Sequence, residues 1–216
     1  GTPDTPARTI SWRVAIEDGI RQLITTLRQV RGHGDIARFL LARLFYNDGL
    51  VTLFAVGGIY AKTTFGMTTA EVLQFGVGIN VTAGLGAFAF AWIDDWIGSK
   101  RTILISLAGL IIVAAGVLSA ETTLAFLIWG SALGIFVGPV QAASRSMMAH
   151  LAPQGLETEM FGLFAFSGKA TAFIGPLVFA AVTALTASQR WGMATILVFF
   201  AAGGALLFTV TDARRG

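Results

Sequence analysis

Six apolar runs, each closed by polar or turn-forming residues, fill the chain between residues 38 and 210. They fall at about 38–61, 70–93, 102–119, 123–149, 160–185 and 191–210. Each lies near the ~20 residues a helix needs to cross the hydrocarbon core of a bilayer. Barrel strands would be shorter and would alternate apolar with polar positions. The pattern therefore predicts an all-α membrane protein with six transmembrane helices. Ahead of them, Ile16, Ile20, Leu23, Ile24, Leu27 and Val30 recur at helical spacing opposite an arginine-rich face. That predicts an amphipathic helix over 11–31, lying on the membrane surface or packed on its own protein. The expected organisation is a cytoplasmic linker at 1–35, a bundle at 36–211 and a cytoplasmic tail at 212–216.

Composition agrees with a membrane chain. Hydrophobic residues make up 55% and charged residues only 12% of the sequence, and mean hydropathy is +0.73. A soluble chain with a net charge of +3 would raise the question of nucleic acid, but here the basic residues sit mostly outside the spans. They set topology instead. Arg8, Arg13, Arg21, Arg28 and Arg31 of the arm, Lys100 and Arg101 of the loop between the second and third spans, and Arg214 and Arg215 of the tail share one side. Only Lys62 and Arg190 lie on the other. Both termini are thus expected in the cytoplasm. The absence of cysteine removes disulfides and thiolate metal sites, and no cofactor or metal is expected. The sequence opens on Gly1 without a signal peptide pattern, and reads as part of a longer membrane protein.

A shift of 89 residues lays spans one, two and three on spans four, five and six. Over 75–91 against 164–180 it pairs Phe75 with Phe164, Thr82 with Thr171, Ala83 with Ala172, Gly86 with Gly175, Phe90 with Phe179 and Ala91 with Ala180. Gly49 falls on Gly138, and Asn80 on Lys169. The two triplets would cross the membrane in opposite senses, which is the inverted three-plus-three repeat of secondary transporters.

Charged and amide side chains are confined to four of the six spans. Asn47 and Asp48 lie in the first, Asn80 in the second, Gln141 and Arg145 in the fourth and Lys169 in the fifth. A lysine at mid-membrane costs roughly 2.5–3.5 kcal/mol on insertion scales, so it usually faces a bundle interior or a watery cavity. A carboxylate at that depth, such as Asp48, either carries a proton or finds a cation, with Arg145 and Lys169 as the candidates. Gln141, Ser144, Arg145 and Met148 share one helical face. These six polar residues are the candidates for a solute or ion pathway. The third and sixth spans hold no charge and are expected on the lipid side. Gly138-Pro139 and Gly175-Pro176 are expected to bend their spans.

The loop Ala91-Trp92-Ile93-Asp94-Asp95-Trp96-Ile97-Gly98-Ser99-Lys100-Arg101 resembles the conserved loop motif of the major facilitator superfamily. Asp95, Gly98, Lys100 and Arg101 match it. Ala91, Trp96 and Ser99 depart from it, which implies a thinner charge network. In the superfamily this loop latches helices on the cytoplasmic side and influences conformational switching. Arg38–Gly49 (RFLLARLFYNDG), Gly138–Leu151 (GPVQAASRSMMAHL) and Phe161–Pro176 (FGLFAFSGKATAFIGP) resemble the C-terminal half of the autophagy-related vacuolar effluxer family and its bacterial relatives. That resemblance implies helices seven to twelve of a twelve-helix transporter in a bacterial inner membrane. It also implies a small solute as substrate, an amino acid or related metabolite. The partners implied are lipid, the substrate and an N-terminal six-helix half or a second copy. A structural membrane subunit or an inactive half-transporter is the alternative.

An intramembrane enzyme finds no support in the residues. Ser167-Gly168 lacks the glycine two positions earlier that a serine-type site would carry, and His33 and His150 lie at membrane edges. Only Asp48 is an intramembrane aspartate, and neither HExxH nor a P-loop is present.

Overall fold

A computed structural model describes residues 34–211. The predicted helix at 11–31, its arginines, and the tail residues Arg214 and Arg215 lie outside the described residues. Seven helices run in order: α1 Gly34–Phe65, α2 Thr69–Ile97, α3 Ser99–Ser119, α4 Thr123–Leu151, α5 Glu157–Ala170, α6 Ile174–Thr186 and α7 Gln189–Phe208. The described residues contain no strand. Six spans are long and apolar enough to cross a membrane, with α5 and α6 together forming the fifth.

Most boundaries follow from local chemistry. Thr68 opens α2 with a capping box: its hydroxyl accepts from the Glu71 N–H at 3.3 Å, and Glu71 accepts from the Thr68 N–H at 2.7 Å. Thr122 caps α4 by accepting from the Ala125 N–H at 3.2 Å. Gly98 separates α2 from α3 at φ +90°, a conformation open mainly to glycine. The helices overrun the predicted spans at several ends, because polar residues that stopped the hydropathy pattern still continue the helix outside the apolar layer. The two prolines behave differently. α4 runs unbroken through Pro139. The fifth span is interrupted at residues 171–173, and Pro176 falls in the first turn of α6, where its missing N–H and fixed φ are tolerated.

Small residues bring the helices together, as expected where lipid gives no hydrophobic drive to association. α2 packs on α4 so closely that a side chain at Gly86 would meet the Ile135 backbone. One at Gly138 would meet the Ala83 carbonyl. The Thr82 hydroxyl reaches across to the Ser131 carbonyl at 2.9 Å. α1 lies on α7, and α3 packs on both α4 and α7. α2 and the fifth span are the least buried within the bundle. Along α2, Leu73, Val77, Val81, Leu85, Phe88, Trp92 and Trp96 form an outward apolar stripe.

The third and sixth spans cap each other. Lys100, second residue of α3, donates to the carbonyls of Phe208 at 3.0 Å and Val210 at 2.5 Å, at the end of α7. Arg190, second residue of α7, donates to the Ala120 carbonyl at 3.0 Å, just past the end of α3. Each cation meets the orphan carbonyls and the negative dipole end of the other helix. Lys100→Met and Arg190→Met are therefore each expected to cost about 1 kcal/mol. The double substitution should cost the sum, since the two sites share no partner. Thermal unfolding in detergent checks both.

Candidate functional site

The break at residues 171–173 creates two helix ends inside an apolar span, and α1 supplies the groups that answer them. A helix end leaves unpaired N–H and C=O groups, and hydrocarbon offers no water to take them. The Asn47 amide donates to the Gly168 carbonyl at 2.9 Å, one of the last carbonyls of α5. One turn earlier on α1, Arg43 donates through Nη1 to the Phe164 carbonyl at 2.7 Å and to the Ser167 hydroxyl at 3.0 Å. Its guanidinium also lies over the Phe164 ring, 3.6 Å from the centroid. The 171–173 turn closes itself with Ile174 N–H to Thr171 carbonyl at 2.8 Å and Ala172 N–H to Lys169 carbonyl at 3.4 Å.

Asp48 serves the other side of the break. It is 1% exposed. The start of α6 lies against it at Gly175, and among the described residues both carboxyl oxygens lack a hydrogen-bond partner. The approach is close because residue 175 is glycine: a side chain there would run into the Thr52 hydroxyl and lie 2.9 Å from the Asp48 carbonyl. Thr52 itself is occupied, donating to that carbonyl at 2.7 Å. The neighbouring residues Asn47 and Asp48 thus meet the C-terminal end of one half-helix and the N-terminal end of the next.

α4 joins the same site through Tyr46, whose hydroxyl is 2.8 Å from that of Ser144 in a buried contact. Ser144 in turn donates to the Val140 carbonyl at 2.5 Å. Between α1, α4 and α5 lies a cavity of about 60 Å³ lined by Arg43, Asn47, Gln141, Arg145 and Phe164 among others. A second cavity of about 160 Å³ lies between α1, α2 and α4, lined by Leu53, Gly57, Phe75, Asn80, Gly130 and Leu133 among others.

The structure therefore brings Asn47, Gln141 and Arg145 together and places the other candidates elsewhere. Asp48 forms no ion pair among the described residues, where Arg38–Asp35 at 3.5 Å is the one such pair. Neither Arg145 nor Lys169 reaches it. Lys169 is exposed and sits in the last turn of α5, where a cation suits the negative end of the helix. Asn80 is exposed and donates to its own helix, to the Gly76 carbonyl at 2.8 Å. In the loop motif, Gly98 makes the turn, Lys100 caps α7 and Arg101 is exposed. Asp95 lines a cavity of about 160 Å³ with Asp94, Thr102 and Pro139. Sequence reasoning passed over Arg43. Its signal was present, since it lies one helical turn before Asn47 on the polar face of α1.

Removing the amide in Asn47→Ala leaves the Gly168 carbonyl unanswered in an apolar span. The expected loss is about 1–3 kcal/mol of stability. Hydrogen exchange should speed up across residues 168–174 more than in α3, and mass spectrometry of the exchanged peptides checks this.

Comparison with known proteins agrees with this architecture. A family model described as "Vacuole effluxer Atg22 like" matches residues 2–216. The chain is similar to a protein of Bacillus subtilis named Uncharacterized MFS-type transporter YxiO, with 26% identity over 195 residues. That match covers 90% of this chain and 45% of the relative. Autophagy-related protein 22 of Candida glabrata is 28% identical over 198 residues, covering 84% of this chain and 36% of the relative. The protein of the same name from Cryptococcus neoformans is 25% identical over 190 residues, covering 79% and 33%. The chain spans less than half the length of these relatives.

Proposed function

The chain belongs to the Atg22-like vacuole effluxer family, and we propose from this that it is the C-terminal six-helix half of a secondary transporter working by alternating access. Its six apolar spans and its family make it an integral membrane protein. The observation that carries the transport reading is the interrupted fifth span, met at its two ends by Asn47 and Asp48. Discontinuous helices near mid-membrane mark solute and ion sites in secondary transporters, because their ends offer oriented backbone groups where continuous helices offer none.

The inverted repeat belongs to this reading. Its support is the reciprocal capping of α3 and α7: Lys100 and Arg190 are each the second residue of the third helix in their triplet, one position off the 89-residue register. The low burial of α2 and of the fifth span supports a missing partner. These are corresponding helices of the two triplets, and they leave the surface that an N-terminal six-helix half, or a second copy, would cover. The linker at 1–35, the bundle at 36–211 and the tail at 212–216 complete the organisation. The excess of Lys and Arg on one side supports cytoplasmic termini, and the similarity to a Bacillus subtilis transporter supports a bacterial inner membrane.

In this mechanism the bundle rocks against its partner half, opening the α1–α4–α5 seam alternately to each side. Asn47, Gln141 and Arg145 line the path, and Asn80 lies along its apolar stretch. Lys169, exposed beside the break, faces the space shared with the other half. Asp48, buried without a partner, carries the coupling proton, and the half-helix end at Gly175 responds to its charge. The solute is small, an amino acid or related metabolite.

Uptake of a solute panel into vesicles, with and without a proton gradient, tests this reading in the full-length protein. Asp48→Asn is expected to abolish gradient-driven accumulation, and Lys169→Ala to lower the rate on the order of tenfold. Unchanged transport and pH dependence in both variants would overturn the site assignment.

A further inference from the structure

Two guanidinium groups share one small cavity, and among the described residues no carboxylate pairs with either. Arg43 and Arg145 line the same space of about 60 Å³ and act on each other as like charges. Arg43 uses Nη1 on Phe164 and Ser167, which leaves Nε and Nη2 for another partner. Arg145 makes no hydrogen bond among the described residues, and the one ion pair among them is Arg38–Asp35. Asp48 is turned to Gly175 and does not line this cavity. Two cations lining one space, Arg145 from an exposed position, repel, and an anion bound between them reverses that repulsion.

The shape of the surroundings narrows the class. Guanidinium forks match a carboxylate two bonds at a time, and the amides of Asn47 and Gln141 lie beside them. The space suits a head group of few heavy atoms. From Leu50 and Val140 the seam leads within about two turns to Leu53 and Leu133 of the larger cavity. That cavity is apolar apart from Asn80, whose amide is already held by its own helix. No acidic side chain among the described residues lines either space, so this half offers an ammonium group on the solute no counter-charge.

Resting on the transporter reading above, we propose that the solute is an organic carboxylate with an apolar body. Its head lies between Arg43 and Arg145, and its body runs along the α1–α4 seam. The carboxylate is the recognised group, and an α-amino group adds nothing to binding.

The test is binding of radiolabelled hexanoate to the full-length protein in lipid nanodiscs at constant ionic strength, read against empty nanodiscs. Saturable binding is expected, weakened at least about tenfold in Arg145→Gln, whose side chain holds no structural bond. Arg43→Gln should weaken it as well, but that variant also loses the bonds to α5, so Arg145→Gln decides. Hexanamide and inorganic phosphate are expected not to compete, and 2-aminohexanoate to compete no better than hexanoate. Three results overturn the proposal: no saturable hexanoate binding, equal binding in Arg145→Gln, or a clear preference for phosphate or the zwitterion. Failure here with vesicle transport of some other solute intact would leave the transporter reading standing. Arg145-dependent hexanoate binding without transport of any solute would do the reverse.

Discussion

A polar group inside a hydrocarbon layer must find its partner within the protein, and in this chain one stretch of α1 meets that demand for the rest. Arg43, Tyr46 and Asn47 reach α4 and α5 through hydrogen bonds of 2.7–3.0 Å. Asp48 and Thr52 stand against the start of α6. Without them the break in the fifth span would leave backbone carbonyls facing an apolar setting. The break is thus conditional on α1, and the site is conditional on the break. One dipeptide, Asn47-Asp48, links the continuity of the fold to its chemistry.

The rest of the bundle fixes where α1 stands. Glycines let α2 close onto α4 with backbone contact, which sets the position of Gln141, Ser144 and Arg145 on the face toward α1. The reciprocal caps from Lys100 and Arg190 tie α3 and α7 end to end, and α7 supports α1 from behind. The polar residues of the site are then held by elements that carry no charge within the apolar layer. This division of labour is what the proposed rocking of one half against another would need.

Much of this was legible in the sequence, and the gaps have physical causes. The spans could be found because hydropathy records burial in lipid directly. Their ends could not, because the Asp94-Asp95 pair or Lys100 stops an apolar run without stopping a helix. Asn47, Gln141 and Arg145 were singled out and lie together. For Asp48 the sequence leaves a proton or a pairing cation open; it pairs with none among the described residues, and pairing depends on the relative rotation of helices, which no single span encodes. Lys169 drew attention for its depth. The lone helical pattern did not reveal that a helix ends beside it, an arrangement that accommodates the charge by its dipole. Pro139 and Pro176 look alike as residues, yet one sits in a continuous helix and the other opens a new one. Arg43 was missed because it lies nearer the end of its span, where an arginine reads as a membrane-edge residue. Its contacts with Phe164 and Ser167 come from more than a hundred residues away in sequence and are invisible along the chain.

If the proposed path is right, the seam between α1, α4 and α5 opens to water during transport. The chain contains no cysteine, which makes site-directed labelling direct once any cysteines elsewhere in the full-length protein are replaced. A membrane-impermeant thiol reagent would be applied from each side to Gln141→Cys and, for comparison, to Ile112→Cys on the outward face of α3. Gln141→Cys should label rapidly and more slowly with a transported solute present, while Ile112→Cys stays inert. Equal inertness at both positions, from both sides and with or without solute, would contradict the proposed path.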